Sequence, residues 1–187
     1  VGSSESSEVD DAVFGFLGKI ASTRVPVVSA VGGVAVGIGT TMLLHCDLVY
    51  AATNAKFILP FINLAVVPEA ASSMLLPRIA GYQRAAELLM LGEPFDVEHA
   101  YRVGIVNEIC TPDELFEKAF SAARKLAEKP PSALRSVKEL MKRESETVRE
   151  RMTTENRLFK EHLETPESQE AINAFFERRK PDFSKFD

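Results

Sequence analysis

The sequence predicts an α/β fold, and three observations carry that prediction. Short apolar runs with strand character occur at Val27–Val31, Leu48–Ala52 and Lys56–Ile58. Four glycines, Gly32, Gly33, Gly37 and Gly39, lead from the first run into a helical pattern over Thr40–His45. From Pro112 onward the chain reads as a succession of amphipathic helices.

Composition sets the limits. At 187 residues with 45% hydrophobic content, the chain can bury a real core. A net charge of −5 argues against gripping nucleic acid by bulk charge. No apolar run reaches membrane-spanning length, and no basic-then-apolar signal opens the chain. Cys46 and Cys110 lie far apart without a Cys-x-x-Cys pair, so a reducing, cytoplasmic setting is expected. The end, Ser184-Lys185-Phe186-Asp187, is not a peroxisomal Ser-Lys-Leu address.

In chain order, Val1–Asp10 is polar and acidic and reads as a loop or poorly ordered end. Val13–Ile20 reads as a helix laying Val13, Phe14, Phe16, Leu17 and Ile20 on the core. After the strand and glycine region, Ala70–Ile79 is a short helix despite Pro77. Tyr82–Leu91 is a clearer helix, punctuated by Gly92 and Pro94. Asp96 suits the N-cap of a helix running to Arg102 and ended by Gly104. Ile105–Ile109 is a strand candidate, and Pro112 starts a helix to about Glu128. Pro130-Pro131 breaks it; Ser132–Arg143, Glu146–His162 and Pro166–Arg179 read as three more helices. Alternating Lys, Arg and Glu over Lys138–Arg151 fit a solvated face.

Few residues offer chemistry. The glycines supply the first two positions of a dinucleotide fingerprint without the third, and no Gly-Lys-Ser/Thr follows. Alone they fit close helix–strand packing. His45, His99 and His162 have no carboxylate or cysteine at ligand spacing, so no metal site is expected. Ser72-Ser73 have no nearby histidine, which argues against a hydrolase triad. Glu69 is one acid in an apolar run. It reads as a helix-stabilising acid or, opposite the glycine-loop N–H groups, as a proton carrier beside developing negative charge.

The stretch Val25–Phe183 resembles the crotonase family of enoyl-CoA hydratases and isomerases. The resemblance is carried by Pro26-Val27-Val28-Ser29-Ala30-Val31-Gly32-Gly33, Ala35-Val36-Gly37 and Cys46-Asp47-Leu48-Val49-Tyr50-Ala51. It continues through Ala55-Lys56-Phe57, Leu91-Gly92-Glu93-Pro94-Phe95 and Ala100-Tyr101-Arg102-Val103-Gly104-Ile105-Val106-Asn107. It closes with Phe176-Glu177-Arg178-Arg179-Lys180-Pro181-Asp182-Phe183. The resemblance implies a crotonase-like ββα spiral followed by a helical oligomerisation region. On it, residues 1–129 are the spiral core, lacking its N-terminal part and one oxyanion donor, and residues 130–187 are a C-terminal trimerisation region. A homotrimer or hexamer is implied, as is an acyl-CoA substrate that brings its own coenzyme A, with no separate cofactor.

Typical hydratases of the family use two carboxylates. Their positions fall here on Thr41 and on Phe61, after Phe57-Ile58-Leu59-Pro60. Pro68-Glu69-Ala70-Ala71-Ser72-Ser73 instead resembles the Pro-Glu-x-x-Ser-Ser sequence of the peroxisomal-type Δ3-Δ2-enoyl-CoA isomerases. The resemblance therefore implies Glu69 as the single acid/base and the Ile38 backbone N–H as an oxyanion donor. Gly37, Thr41, Phe61, Pro68 and Met74 are expected to surround the substrate, with Val66 and Val67 adding apolar walls, and Lys180 to reach coenzyme A. A hydratase, another crotonase reaction and a non-catalytic acyl-CoA-binding module stand as alternatives.

Overall fold

The computed structural model describes residues 3–142 and 148–186. The chain divides into two compact units, Val1–Thr23 with Val27–Ala122, and Arg24–Pro26 with Ala123–Asp187.

The first unit opens with α1 (Ser3–Ser22). Then come β1 (Val28–Val31), β2 (Val34–Val36) and α2 (Ile38–Thr41), which tightens into a 3-10 turn over Met42–His45. β3 (Leu48–Ala52), β4 (Lys56–Ile58), α3 (Ser72–Ala80) and α4 (Tyr82–Leu91) follow. β5 (Phe95–Asp96), α5 (Val97–Arg102), β6 (Glu108–Cys110) and the start of α6 (Leu115–Ala127) complete it. The strands divide between two sheets, ordered β1-β3-β6 and β2-β4-β5. The first is parallel, with Val28 opposite Leu48 and Tyr50 opposite Glu108. In the second, β2 runs parallel to β4, Ala35 facing Phe57, and β5 returns antiparallel. The first two passes, β1-β2 and β3-β4, each lay one strand in each sheet and then turn through helix, while the third places β5 in the second sheet and reaches β6 in the first only after α5. Parallel neighbours require such crossovers, which makes the path a ββα spiral.

The core sits between these layers. Ala51, Ala52, Ala55, Phe57, Leu76 and Ala100 are fully buried, and Phe57 stacks on Phe95 with ring centroids 5.6 Å apart. Alanines along β3 let neighbouring elements approach, while burial of side chains such as Leu59 and Leu76 contributes about 1.5–3 kcal/mol each.

Four expectations change. Where Val1–Asp10 reads as a loop or poorly ordered end, α1 begins at Ser3, and Val1 and Gly2 lie outside the described residues. Of the residues expected on its core face, Leu17 is buried, but Phe14 and Phe16 remain exposed. The glycine stretch is not one loop. It contains β2, three residues too short to show a period, with Ala35 turned inward. The last strand shifts from Ile105–Ile109 to Glu108–Cys110. The N–H groups of Ile105 and Val106 close the end of α5 on the Ala100 carbonyl instead, and Asn107 exchanges hydrogen bonds with Val49. Fourth, between the Gly92/Pro94 punctuation and the helix capped by Asp96 the chain forms a two-residue strand, β5.

The second unit holds the rest of α6, α7 (Pro131–Lys142), α8 (Val148–Leu163) and α9 (Pro166–Glu177). The buried Glu167 carboxylate accepts the Ser132 N–H at 3.2 Å and the Ser132 hydroxyl, capping α7 from a distant residue. Lys138 does not belong to a solvated face. It is buried, and its Nζ donates to the Val25 carbonyl at 2.7 Å. The end of the expected helix at Arg143, the start at Glu146 and part of the charge alternation lie outside the described residues. After α9 the chain folds back: Arg179 pairs with Glu170 and Glu177, the Asp182 N–H reaches Glu170, and Phe183 is buried. The Arg179 guanidinium, with that N–H, holds the Glu170 carboxyl down at about 2. Among the described residues no helix is long and apolar enough to cross a membrane.

Asp96 caps α5 as expected, its Oδ1 accepting the His99 N–H at 2.8 Å. That bond holds the Asp96 carboxyl below its ordinary range. A lowered carboxyl contributes stability that is complete above the unfolded pKa and lost as pH falls through the folded one. The melting-temperature gap between the protein and Asp96→Ala is therefore expected to be widest near neutral pH and to close below about pH 4. Thermal melts across pH check this; a gap unchanged in acid would show that the cap does not act through its charge.

Candidate active site

The site is built where the first helix after the glycines meets the turn before α3. β2 delivers the chain to Gly37, whose N–H bonds the Ile58 carbonyl at 2.9 Å. Gly37 has φ 53° and ψ −115°, a backbone region closed to side-chain-bearing residues. Its carbonyl accepts from the N–H groups of Thr40 and Thr41, both at 2.9 Å. Ile38 is the first residue of α2, so its N–H has no intrahelical acceptor. Thr40 pins the helix from beneath, its buried hydroxyl donating to the Ala35 carbonyl at 2.7 Å. The glycine reverses the chain, the threonine fixes the helix, and the Ile38 N–H is left at the helix start.

Thr41, also fully buried, donates its hydroxyl to Glu69 Oε1 at 3.2 Å. The two residues are 28 positions apart, and this contact joins them. Glu69 is partly buried and lies ahead of α3, whose N-cap is Ala71 and which has no acid in its first turn and no side-chain cap. The carboxylate is therefore turned toward α2 and does not serve as a first-turn acid of its own helix.

The turn carrying Glu69 is unusual. Ala70 and Ala71 have φ of 54° and 53°. Two consecutive alanines in the left-handed region cost on the order of 1–2 kcal/mol each. The Ser72 N–H and hydroxyl donate to the Glu69 carbonyl at 2.9 and 2.6 Å, closing a turn with both central residues at positive φ. His45 Nε2 lies 2.8 Å from the Ala70 carbonyl. Spacing gave no hint of these two polar residues. His45 sits at the end of an apolar helical run, and its partner lies 25 residues away. The available signal was its place at the end of the helical run that the glycines lead into.

A mainly apolar cavity of about 310 Å³ adjoins this turn, lined by Ile62, Val66, Val67, Pro68, Ser73 and residues of α3 and α4. Of the residues expected at the site, Gly37, Ile38 and Thr41 lie on α2 or its cap, Thr41 touches Glu69, and Pro68 borders the cavity. Phe61 is buried within the core cluster. Val66, Val67 and Met74 do not enclose Glu69 in a dry wall: they are 53%, 83% and 48% exposed. Val66 and Val67 follow the 3-10 turn Ile62–Leu64, which Ala65 ends in the left-handed region, and Met74 lies on α3. Lys180 belongs to the second unit, its side chain 90% exposed with Glu128 at 3.9 Å. Among the described residues no three His, Cys, Asp or Glu side chains gather as metal ligands.

Because an added Cβ at Gly37 would meet nothing within 4 Å, the residue is required by its dihedrals and not by space. Gly37→Ala and Gly37→Ser are expected to lose similar stability, on the order of 1–3 kcal/mol each. Urea unfolding reads this; a much larger loss for serine would mean that crowding, not backbone strain, sets the requirement.

Known proteins resemble this chain in sequence and fold. Residues 2–185 match the family model described as enoyl-CoA hydratase/isomerase. A probable enoyl-CoA hydratase of Rhizobium meliloti (strain 1021) is 38% identical over 122 residues, covering 64% of this chain and 48% of that protein. A 1,2-epoxyphenylacetyl-CoA isomerase of Escherichia coli (strain K12) is 38% identical over 109 residues, 58% of this chain and 42% of that one. This chain thus spans less than half the length of these two relatives. Among solved structures, one from Magnetospirillum magneticum AMB-1, described as an enoyl-CoA hydratase/carnithine racemase, superposes with a TM-score of 0.89 at 52% identity. That match covers 91% of this chain and 68% of the other. The chain belongs to the enoyl-CoA hydratase/isomerase family and has the crotonase fold.

Proposed function

We propose that this member of the enoyl-CoA hydratase/isomerase family is an isomerase that moves the double bond of a 3-enoyl-CoA to the 2-position. The observation that carries the reading is the pairing of one carboxylate, Glu69, with the hydroxyl of Thr41 at 3.2 Å. Hydration needs one group to orient water and another to deliver a proton. A double-bond shift needs a single group that removes a proton and returns it elsewhere. At the two positions where hydratases of the family place carboxylates, this chain has Thr41 and Phe61.

In the proposed reaction the Glu69 carboxylate takes a proton from C2 of the thioester. The C2–H electron pair forms a double bond between C1 and C2 and the carbonyl π pair moves onto oxygen, giving an enolate whose oxygen carries the charge. The Ile38 N–H donates to that oxygen, and one such donor is worth about 2.7–4 kcal/mol. Glu69 then returns the proton to C4. The C3–C4 π electrons bind that proton as the new C4–H bond, the C1–C2 electrons of the enolate become the C2–C3 double bond, and the oxygen pair restores the carbonyl, so the acyl-CoA is isomerised with no net gain or loss of atoms. Thr41 occupies Oε1 of Glu69, leaving Oε2 for the proton. Gly37, Phe61, Pro68 and Met74 are proposed to border the substrate, and Lys180 to reach coenzyme A, which enters as part of the substrate. The helices after Pro130 are proposed to assemble a homotrimer or a hexamer of two trimers. Their exposed aromatics, Phe159, Phe175 and Phe176 among them, offer the apolar surface such contacts need.

Glu69→Gln keeps the size of the side chain and removes the base. It is expected to lower isomerase turnover by on the order of 10²–10⁴-fold while coenzyme A binding changes little. A spectrophotometric assay with 3-enoyl-CoA and 2-enoyl-CoA separates the readings. Near wild-type isomerisation by a folded Glu69→Gln variant would assign the proton to another group, and hydration alone by the wild type would refute the isomerase. For assembly, light scattering is expected to give a trimeric or hexameric mass; a monomer under assay conditions would refute that part.

A further inference from the structure

We propose that His45 is a positioning residue for Glu69, acting through the backbone of the strained turn that follows it. The inference rests on the acid/base reading of Glu69 given above.

His45 is buried, and its Nε2 lies 2.8 Å from the Ala70 carbonyl oxygen. A carbonyl only accepts, so Nε2 bears the proton in this contact. A buried histidine that merely satisfied its own ring could use any carbonyl in reach. This one takes the carbonyl of Ala70, the first of two alanines held at positive φ. Such backbone persists only where its surroundings over-determine it. Here three side chains do so. Ser72 holds the Glu69 carbonyl, Thr41 holds the Glu69 carboxylate, and His45 holds the peptide unit between them. Thr41 and His45 stand four residues apart on the continuous stretch of α2 and its 3-10 turn, so one rigid piece grips both the side chain and the backbone. The same piece begins with the Ile38 N–H. His45 therefore ties the proposed base to the element that carries the proposed oxyanion donor. Without it, Ala70 can relax toward negative φ and carry the Glu69 carboxylate away from its partner.

The test uses the purified protein, a 3-enoyl-CoA substrate and four variants, with thermal melts alongside. His45→Leu removes the donor at similar volume; its kcat is expected to fall about 10²-fold with KM little changed, the size of effect a misplacement near 1 Å produces. His45→Gln restores an N–H donor and is expected to recover most of that loss. Glycine adopts positive φ without strain, so Ala70→Gly added to His45→Leu is expected to recover turnover as well. A folded His45→Leu variant with wild-type kcat overturns the proposal. So does failure of both His45→Gln and the double variant to restore turnover, including the case in which they do not fold, which would make His45 a residue of folding alone. Glu69→Gln, run in parallel, separates the two ideas. If it keeps its activity, the acid/base reading fails. If it loses activity while the His45 series behaves as wild type, only the positioning role fails.

Discussion

Ala70 and Ala71 hold left-handed backbone between Glu69 and α3, and the geometry of the site depends on that turn. Left to themselves, two alanines there would relax, because Cβ crowds the following carbonyl. They are kept by hydrogen bonds from three side chains drawn from two elements: Thr41 and His45 on one helical stretch, Ser72 on the other side. The turn points the Glu69 side chain back toward α2 and away from the axis of α3. A carboxylate in the first turn of α3 would be neutralised by the helix's own N–H groups; ahead of the helix, with one oxygen on Thr41, it keeps an oxygen for other chemistry.

The spiral supplies the rigidity this arrangement needs. Each pass of chain contributes one strand to each sheet, so the end of β2 is fixed by β4 and the end of β4 by both β2 and β5. Gly37 continues that ladder for one more bond, to Ile58, and then breaks it by its dihedrals. Thr40 adds a hydroxyl bond to the Ala35 carbonyl, so the helix start cannot slide relative to the sheet. Regular elements therefore hold the Ile38 N–H, while irregular backbone holds Glu69. Precision at an N–H donor comes from a ladder, and precision at a side chain on a loop must come from hydrogen bonds.

The second unit follows another logic. Its signature sequence near the C-terminus, Phe176-Glu177-Arg178-Arg179-Lys180-Pro181-Asp182-Phe183, looks like a run of charge. In the fold it is a fold-back: Arg178 takes left-handed backbone to end α9, Arg179 crosses to Glu170, and Phe183 returns to the interior. Lys138 and Glu167, charged residues that sequence pattern assigns to solvent, are buried where each meets a backbone group, the Val25 carbonyl in the connection before β1 and the Ser132 N–H at the start of α7. Buried charge is tolerable when its hydrogen bonds are supplied in this way.

The sequence by itself determined the α/β class, β3, β4 and α4 to the residue, the Asp96 cap and the crotonase-type spiral. These rest on local periodicity, on cap chemistry and on motifs whose order runs along the whole chain. It also singled out Glu69 and Thr41 as residues of interest without showing that they touch. Only the tertiary structure decided that contact, the left-handed alanines, the hold of His45 on Ala70, and the exposure of Val66, Val67 and Met74. β2, set between Gly33 and Gly37, and the two-residue β5 show no strand pattern of their own and exist by their pairing with β4. The reason is common to all of these. A hydrogen bond between residues 25 or 28 positions apart leaves no trace in local spacing, and a positive φ in alanine opposes local preference until distant partners impose it.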